Sequence, residues 1–505
     1  MNDNSQIEEP KSSMTKAEIA HIGGKAVSGA KILTILSGVQ TALRFVSART
    51  TAKHLSDIDI ADFTAGYTFA GVGLYFTDVG LAGGLIQKGA NPTDDELMTV
   101  FLSQQALVSI VVAFILGMLP VWTSLLSLNG TSVGILVSST LSLYFFTFRV
   151  IPMFVLERQL QFDKIARCEL VENVVMALAT IIMAILGFKA WALLGGAMAR
   201  SVVGVVLVWI VSPWRPRGRF RKEIFLELAK FGLPFQLNAI IPALGGMWNV
   251  IILKLLLGKA MLGQAAWAGN ISAIPMVISM VLVRVAYPAY SRLKGDLEAV
   301  SSTLTKAIKR LNAGLDMIIC PFVTMCPVII PVLFDPKWNS AIPIVQWLSL
   351  QAVVGALLGM VCSVQNALGE AAERMWVTIV MVVVRWGTGF IVIKAFGIAG
   401  YGPICLATNL LELLISGWLV RRHNPNSAKL LRELFLPLTI SWFTLAAALL
   451  LGGYLSGGVV WKNALYSTGI WLAMTLIREI ATPLHFIRDE FGALLGLLKF
   501  SKLKR

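Results

Sequence analysis

Apolar runs of membrane-spanning length recur along this chain from Ala26 to Ile477, separated only by short polar breaks. About 20 apolar residues let an α-helix cross a hydrocarbon core roughly 30 Å thick, because each residue advances about 1.5 Å. No water reaches backbone N–H and C=O groups in that core, so such runs must close their hydrogen bonds internally as helices. The chain has 505 residues, 56% apolar and only 14% charged; soluble domains carry roughly 25% charged residues. A water-soluble globule is thereby excluded, and the expectation is an all-α polytopic membrane protein with about 14 transmembrane helices.

The spans predicted are Ala26 to Val46, Phe63 to Gln87, Val100 to Leu125, Val133 to Leu156, Val171 to Phe188 and Trp191 to Val211. After a cationic break, Pro213-Trp-Arg-Pro-Arg-Gly-Arg-Phe-Arg-Lys222, come Phe231 to Leu253, Ala266 to Tyr290, Leu311 to Leu333, Ile342 to Val364, Val377 to Ala395 and Tyr401 to Val420. Leu434 to Leu455 and Val459 to Ile477 close the series. The organisation read from this is a tail over 1–22, a six-span N-lobe over 23–213, an inter-lobe loop over 214–230, a six-span C-lobe over 231–422, two extra spans over 423–478 and a tail over 479–505. An echo in spacing, Asp78, Lys88, Gly89 against Arg284, Lys294, Gly295, points to duplication, with a central cavity between two like-oriented lobes.

A formal net charge of +15 in a soluble protein would point to nucleic acid. Here placement decides, because cationic loops resist translocation. With the N-terminus inside, the outward loops hold only Arg49, Lys53, Lys189, Lys254, Lys259, Lys337, Lys394 and Lys462, and the inward loops and tails hold most of the rest. Both termini are expected in the cytoplasm, with no nucleic-acid partner. The first 20 residues lack the basic and apolar regions of a signal peptide.

Phosphate loops, HExxH and GxSxG motifs are missing, and His21, His54, His423 and His485 are not paired at ligand spacing. Cys168, Cys320, Cys326, Cys362 and Cys405 lie in or beside apolar runs without a CxxC pair and read as small core residues. No enzyme, cofactor or metal is expected.

The charges inside spans carry the functional signal. Arg44, Arg149, Arg200, Arg284 and Arg385 lie there, with the acids Asp78, Glu169, Glu172, Asp316 and Glu412 in or beside spans. A central arginine costs about 2.5 to 3.5 kcal/mol on insertion scales, so these must face protein or water. Arg200 and Arg385 lie nearest mid-span, Arg44 near the outer end of its span, and Glu169 and Glu172 at the interface. Two readings are open: buried arginine–carboxylate pairs that join helices, or a cationic cavity for an anionic ligand, since guanidinium holds phosphate bidentately and stays charged when buried. The candidate binding residues are Arg200, Arg385, Arg284 and Arg44; Asp78 and Glu412 are the candidate ion-coupling acids. The tail from Leu484 to Arg505 has one apolar helical face and reads as an interfacial helix on the cytoplasmic leaflet.

Phe76-Thr-Asp-Val-Gly-Leu-Ala-Gly-Gly-Leu-Ile-Gln-Lys88 is similar to the second-span signature of polysaccharide-transporter flippases, the Wzx-type branch of the multidrug/oligosaccharidyl-lipid/polysaccharide exporter superfamily. Matching pieces follow in family order: Leu156-Glu-Arg-Gln-Leu-Gln-Phe-Asp163, Ala190-Trp-Ala-Leu193, Tyr287-Pro-Ala-Tyr-Ser-Arg292, Asp335-Pro-Lys-Trp338 and Gln365-Asn-Ala-Leu-Gly369. The resemblance implies two six-helix lobes around a central cavity plus two C-terminal helices, in a bacterial inner membrane. It implies flipping of undecaprenyl-pyrophosphate-linked oligosaccharide repeat units to the periplasmic leaflet for exopolysaccharide or surface polysaccharide synthesis. Its implied partners are membrane lipid, a polysaccharide polymerase and a chain-length regulator. No strict arginine motif defines the family, so the four arginines are assigned by depth. The rivals are a cation-coupled multidrug exporter of the same superfamily and a membrane glycosyltransferase or polymerase.

Overall fold

The computed structural model describes residues 38–481 apart from 79, 82–84, 86–91, 160, 277–296, 369 and 422–426. Helix α1 covers residues 38–54. It is followed by α2 (Asp57–Gly73), α3 (Asp94–Gly117), α4 (Leu119–Leu126), α5 (Gly130–Leu141), α6 (Leu143–Arg158), α7 (Phe162–Ile185) and α8 (Ala190–Val211). The second half consists of α9 (Lys222–Gly246), α10 (Trp248–Ala273), α11 (Leu297–Leu333), α12 (Ile342–Leu368), α13 (Ala371–Phe396), α14 (Tyr401–Arg421), α15 (Ser427–Leu455) and α16 (Val460–Ala481). The protein is an all-α polytopic membrane protein. Nine segments among the described residues are long and apolar enough to cross a membrane; one, Ala372–Val420, holds both α13 and α14. Large apolar side chains such as Ile210, Val332, Leu450 and Phe443 stand exposed on the outside of the bundle, as surfaces solvated by lipid tails do.

The helices pack in two groups. In the first, α7 packs along α8, α2 along α5, and α6 against α3 and α8. In the second, α12 packs on α14 and α11, α13 on α14 and α9, and α15 on α16. Between the groups the main contact is α2 against α10. That contact lies at one end of the molecule, the Gly258 end, where Gly258 (φ 82°) breaks α10 into two opposed stretches. The opposite, Trp214 end carries the connection between the halves.

The Gly258 end is held by a core shared between the groups: Ala52, Leu55, Ile60 and Ala61 pack with Trp248, Leu262, Trp267 and Trp338. Trp338 stacks on Trp267 at 4.5 Å and donates its indole N–H to the carbonyl of Ala52 at 3.0 Å. Asp335 makes this possible by capping the turn that follows it, accepting from the N–H of Lys337. At the Trp214 end, Trp214 is buried against Phe101 and Trp209, and Asp95 accepts from the backbone of Arg219 and from Arg221 Nε. Gln236 donates to the carbonyl of Tyr75 at 2.6 Å. Gly80 adopts φ +80°, and a Cβ there would fall on the carbonyl of Gly232, as one at Gly232 would fall on that of Gly80. The backbones touch because neither residue has a side chain.

Three boundaries differ from the sequence expectation, and each moves a charge. Helix α1 does not stop at Val46 but runs through the polar Ser47-Ala-Arg-Thr-Thr-Ala-Lys-His54, because Ala52 and Leu55 are buried in the shared core. Helix α2 begins at Asp57, where Ser56 and Asp59 form a reciprocal capping box, and ends at Gly73 rather than running to Gln87. Helix α7 starts at Phe162, not Val171, which places Glu172 ten residues inside it rather than at the interface. The four cysteines Cys168, Cys320, Cys326 and Cys405 are buried, and all five are free thiols. Arg284, the tail over 1–22 and the amphipathic segment Leu484 to Arg505 lie outside the described residues.

Candidate functional site: a cationic cavity between the helix groups

A cavity of about 370 Å³ opens between α1, α2, α7 and α8 of the first group and α10 of the second. Arg44, Gln40, Ser47 and Thr51 come from α1, Thr64 from α2, Asn173 and Thr180 from α7, Arg200 from α8, and Asn270 with Trp267 from α10. These polar groups alternate with Leu43, Phe63, Met176 and Leu193, giving an amphipathic lining. Arg200 lies ten residues into α8 and Arg44 ten residues before the end of α1; at about 1.5 Å per residue both sit roughly 15 Å below the Gly258 end. The extension of α1 through His54 is what brings Arg44 to the depth of Arg200.

Arg200 does not stand alone. Glu172 is fully buried and takes a two-pronged contact from Arg149, Nη2 to Oε1 and Nη1 to Oε2, both at 3.0 Å. Arg200 approaches the same carboxylate more loosely, Nε to Oε2 at 3.6 Å, with its side chain 42% exposed. The fork of Arg149 neutralises Glu172, so the three groups sum to one positive charge, and Arg200 carries it to the cavity wall. Gly204 makes room for this arrangement, since a Cβ there would lie 2.8 Å from Glu172 Oε1 and 3.0 Å from Arg149 Nη1. Arg44 adds a second positive charge and has no ion-pair partner among the described residues.

The remaining sequence candidates sit elsewhere. Arg385 on α13 donates to Asn409 Oδ1 at 2.7 Å and pairs with Glu412 at 3.4 Å, both on α14, within the second group. It is not among the residues lining the cavity. Glu412 is therefore engaged by a guanidinium. Asp78 lies beyond the end of α2, past a 3₁₀ turn at Leu74–Phe76, and accepts from the N–H of Leu81 at 2.8 Å. Its place is the contact of the two groups at the Trp214 end rather than the depth of a span.

Sequence reasoning missed one charged cluster. Asp62 on α2 is buried and accepts from Ser132 Oγ at 2.7 Å and Asn129 Nδ2 at 2.9 Å, while Lys259 Nζ of the second group lies 3.3 Å from it. Asp62 was passed over because α2 was taken to begin at Phe63. The signal was present: Ser56-Asp-Ile-Asp59 has the spacing of a capping box, and a helix starting there carries Asp62 inside it.

A family model described as polysaccharide biosynthesis protein matches residues 64–343. The lipopolysaccharide biosynthesis protein WzxC of Escherichia coli (strain K12) is 24% identical over 356 residues, 68% of this chain and 69% of that protein. The lipid II flippase MurJ in its inward closed conformation has a TM-score of 0.71 at 12% identity, covering 88% of this chain and 98% of that one. An inward-facing multidrug resistance MATE family transporter of the MOP superfamily has a TM-score of 0.59 at 14% identity, over 78% of this chain and 98% of its own. At these identities the two structures speak to the fold alone, and the fold is that of transporters.

Proposed function

The chain belongs to the polysaccharide biosynthesis protein family, and from that premise we propose that it flips undecaprenyl-pyrophosphate-linked oligosaccharide repeat units across a bacterial inner membrane. In this reading the Trp214 end and both termini face the cytoplasm, and the Gly258 end faces the periplasm. The observation that carries it is the charge of the cavity. Arg200, held over a carboxylate with which Arg149 already pairs, and Arg44, without an ion-pair partner among the described residues, together present two positive charges, and a pyrophosphate diester carries about two negative ones. Guanidinium remains charged in a partly dry cavity and can fork two phosphate oxygens. Gln40, Asn173 and Asn270 offer donors and acceptors for sugar hydroxyls beside them.

A multidrug exporter shares the fold, so the fold does not choose between the two. The family match and the surplus of guanidinium over carboxylate at the cavity favour an anionic cargo. Energy for net movement then comes from a gradient or from consumption of the product by a polymerase. Two negative charges moving outward across ~100 mV gain at most about 5 kcal/mol.

The test joins two assays. In cells lacking the gene, an Arg44→Gln, Arg200→Gln variant is expected to reach normal protein levels and lose polymer export. In proteoliposomes the wild type is expected to flip the lipid-linked substrate without ATP and to respond to an imposed potential. Normal export by the double variant, or a requirement for ATP, sinks the reading.

A further inference from the structure

Two lysines of the second group flank the Gly258 turn, one in contact with the buried Asp62 and the other near it. Lys259 follows that turn and pairs with Asp62 at 3.3 Å. Lys254 precedes it, is only 8% exposed, and its ammonium has no hydrogen-bond partner among the described residues. It lies near enough to Lys259 and Asp62 to feel both charges. A buried ammonium without a partner is costly, and two lysines against one carboxylate leave one positive charge over. Asp62 itself already accepts from Ser132 and Asn129 and pairs with Lys259.

The position of this cluster gives the surplus charge a use. Ile60, Phe63 and Thr64 of α2 and Trp267 of α10 line the cavity, and Asp62 sits on the other side of α2 at the cavity's Gly258 rim. The arginines lie roughly 15 Å below that end, and on the flippase reading a head group leaving the cavity there crosses the rim beside the lysines. Asp62 belongs to the first helix group and both lysines to the second. Were the groups to part at this end, the carboxylate would leave with the first and both ammonium groups would stay with the second.

We propose that Lys254 and Lys259 form a second anion subsite, for the pyrophosphate of the substrate, which Asp62 occupies while the Gly258 end is closed. This rests on the flippase reading above and extends it. The carboxylate is the stand-in for the phosphate: arrival of the anion displaces it, which weakens the contact between the groups at the moment the cargo is due to leave. Departure of the anion returns the lysines to Asp62 and recloses the end.

The experiment titrates inorganic pyrophosphate into the purified full-length protein, following tryptophan fluorescence, with the melting temperature as a check on folding. Asp62→Asn removes the competitor without changing the shape of the side chain. It is expected to tighten pyrophosphate binding about fivefold to tenfold, the factor for releasing one partly buried charge pair. Adding Lys254→Met and Lys259→Gln to Asp62→Asn is expected to remove that gain at an unchanged melting temperature. Unaltered affinity in Asp62→Asn, or a gain that survives loss of both lysines, overturns the proposal. So does a gain that phosphatidylglycerol in nanodiscs abolishes and phosphatidylcholine does not, which would make this a site for bilayer phosphate. Arg200→Gln in the same titration reports on the arginine cavity alone, whereas the increment from Asp62→Asn reports on the lysines. The two readings therefore fail separately.

Discussion

Arg200 on α8 and Arg385 on α13 were equivalent by sequence, each a mid-span guanidinium with acids in neighbouring spans. In the fold they differ in how closely each is held and in whether it reaches the cavity. Glu172 is shared between Arg149 and Arg200, whereas Glu412 lies within 4 Å of Arg385 and near enough to Arg374 to feel its charge, and Asn409 accepts a further hydrogen bond from Arg385. The first cluster is left with a net positive charge and a side chain 42% exposed toward the cavity. The second is held away from the cavity, its partners 21% and 16% exposed. Arg200 is thereby open to the cavity, and Arg385 is held by its neighbours on α14.

The largest effect that tests this contrast comes from Glu172→Ala. It leaves Arg149 and Arg200 facing each other without their carboxylate, and removing one partner of a buried pair costs about 3 to 5 kcal/mol. The expected result is a large fall in melting temperature and little folded protein. A stable Glu172→Ala variant would mean that water already screens the cluster.

A smaller and different effect is expected from Arg200→Ala. Arg149 still neutralises Glu172, so stability should change by less than about 1 kcal/mol. The transport rate should fall about tenfold to a hundredfold, the equivalent of one charge-assisted contact to the ligand of about 1.5 to 3 kcal/mol. Arg200→Lys keeps the charge and loses the fork, and should fall in between. If Arg200→Ala destabilises the protein as much as Glu172→Ala does, the two clusters are alike after all.

The smallest effect belongs to the matched pair. Replacing Arg385 and Glu412 together by leucine removes both charges at once, and such exchanges change stability by little, within about 1 to 2 kcal/mol of neutral. Normal transport per folded molecule is expected in flipping assays. Lost transport in a well-folded double variant would move Arg385 into the binding machinery and erase the distinction.

A neighbouring contrast shows how each residue was legible or not. The Asp335-Pro-Lys-Trp338 segment stood out in the sequence as a family piece, yet nothing in it announced that Trp338 would reach Ala52 across the two helix groups. Gly80 and Gly232 meet backbone against backbone, as small residues in membrane helices permit. Glu172 was read as interfacial because apolarity falls off before Val171, although the helix itself continues back to Phe162. A helix boundary is set by capping and packing rather than by hydropathy, so the depth of a charge near the end of an apolar run is the least secure thing a sequence offers.

By itself the sequence determined that this chain spans a membrane many times as helices, because a dry hydrocarbon core leaves the backbone no other way to satisfy its polar groups. It also determined that several guanidinium groups must be sheltered from lipid, because their solvation cost is too large to leave unmet. Only the tertiary structure decided which of them are neutralised. That depends on which carboxylate lies within about 4 Å of which arginine, and Coulomb energy falls with distance between residues far apart in the chain. The same dependence put Asp62 beside Lys254 and Lys259 at the Gly258 turn, where a carboxylate remote in sequence meets two neighbouring lysines and one positive charge is left over.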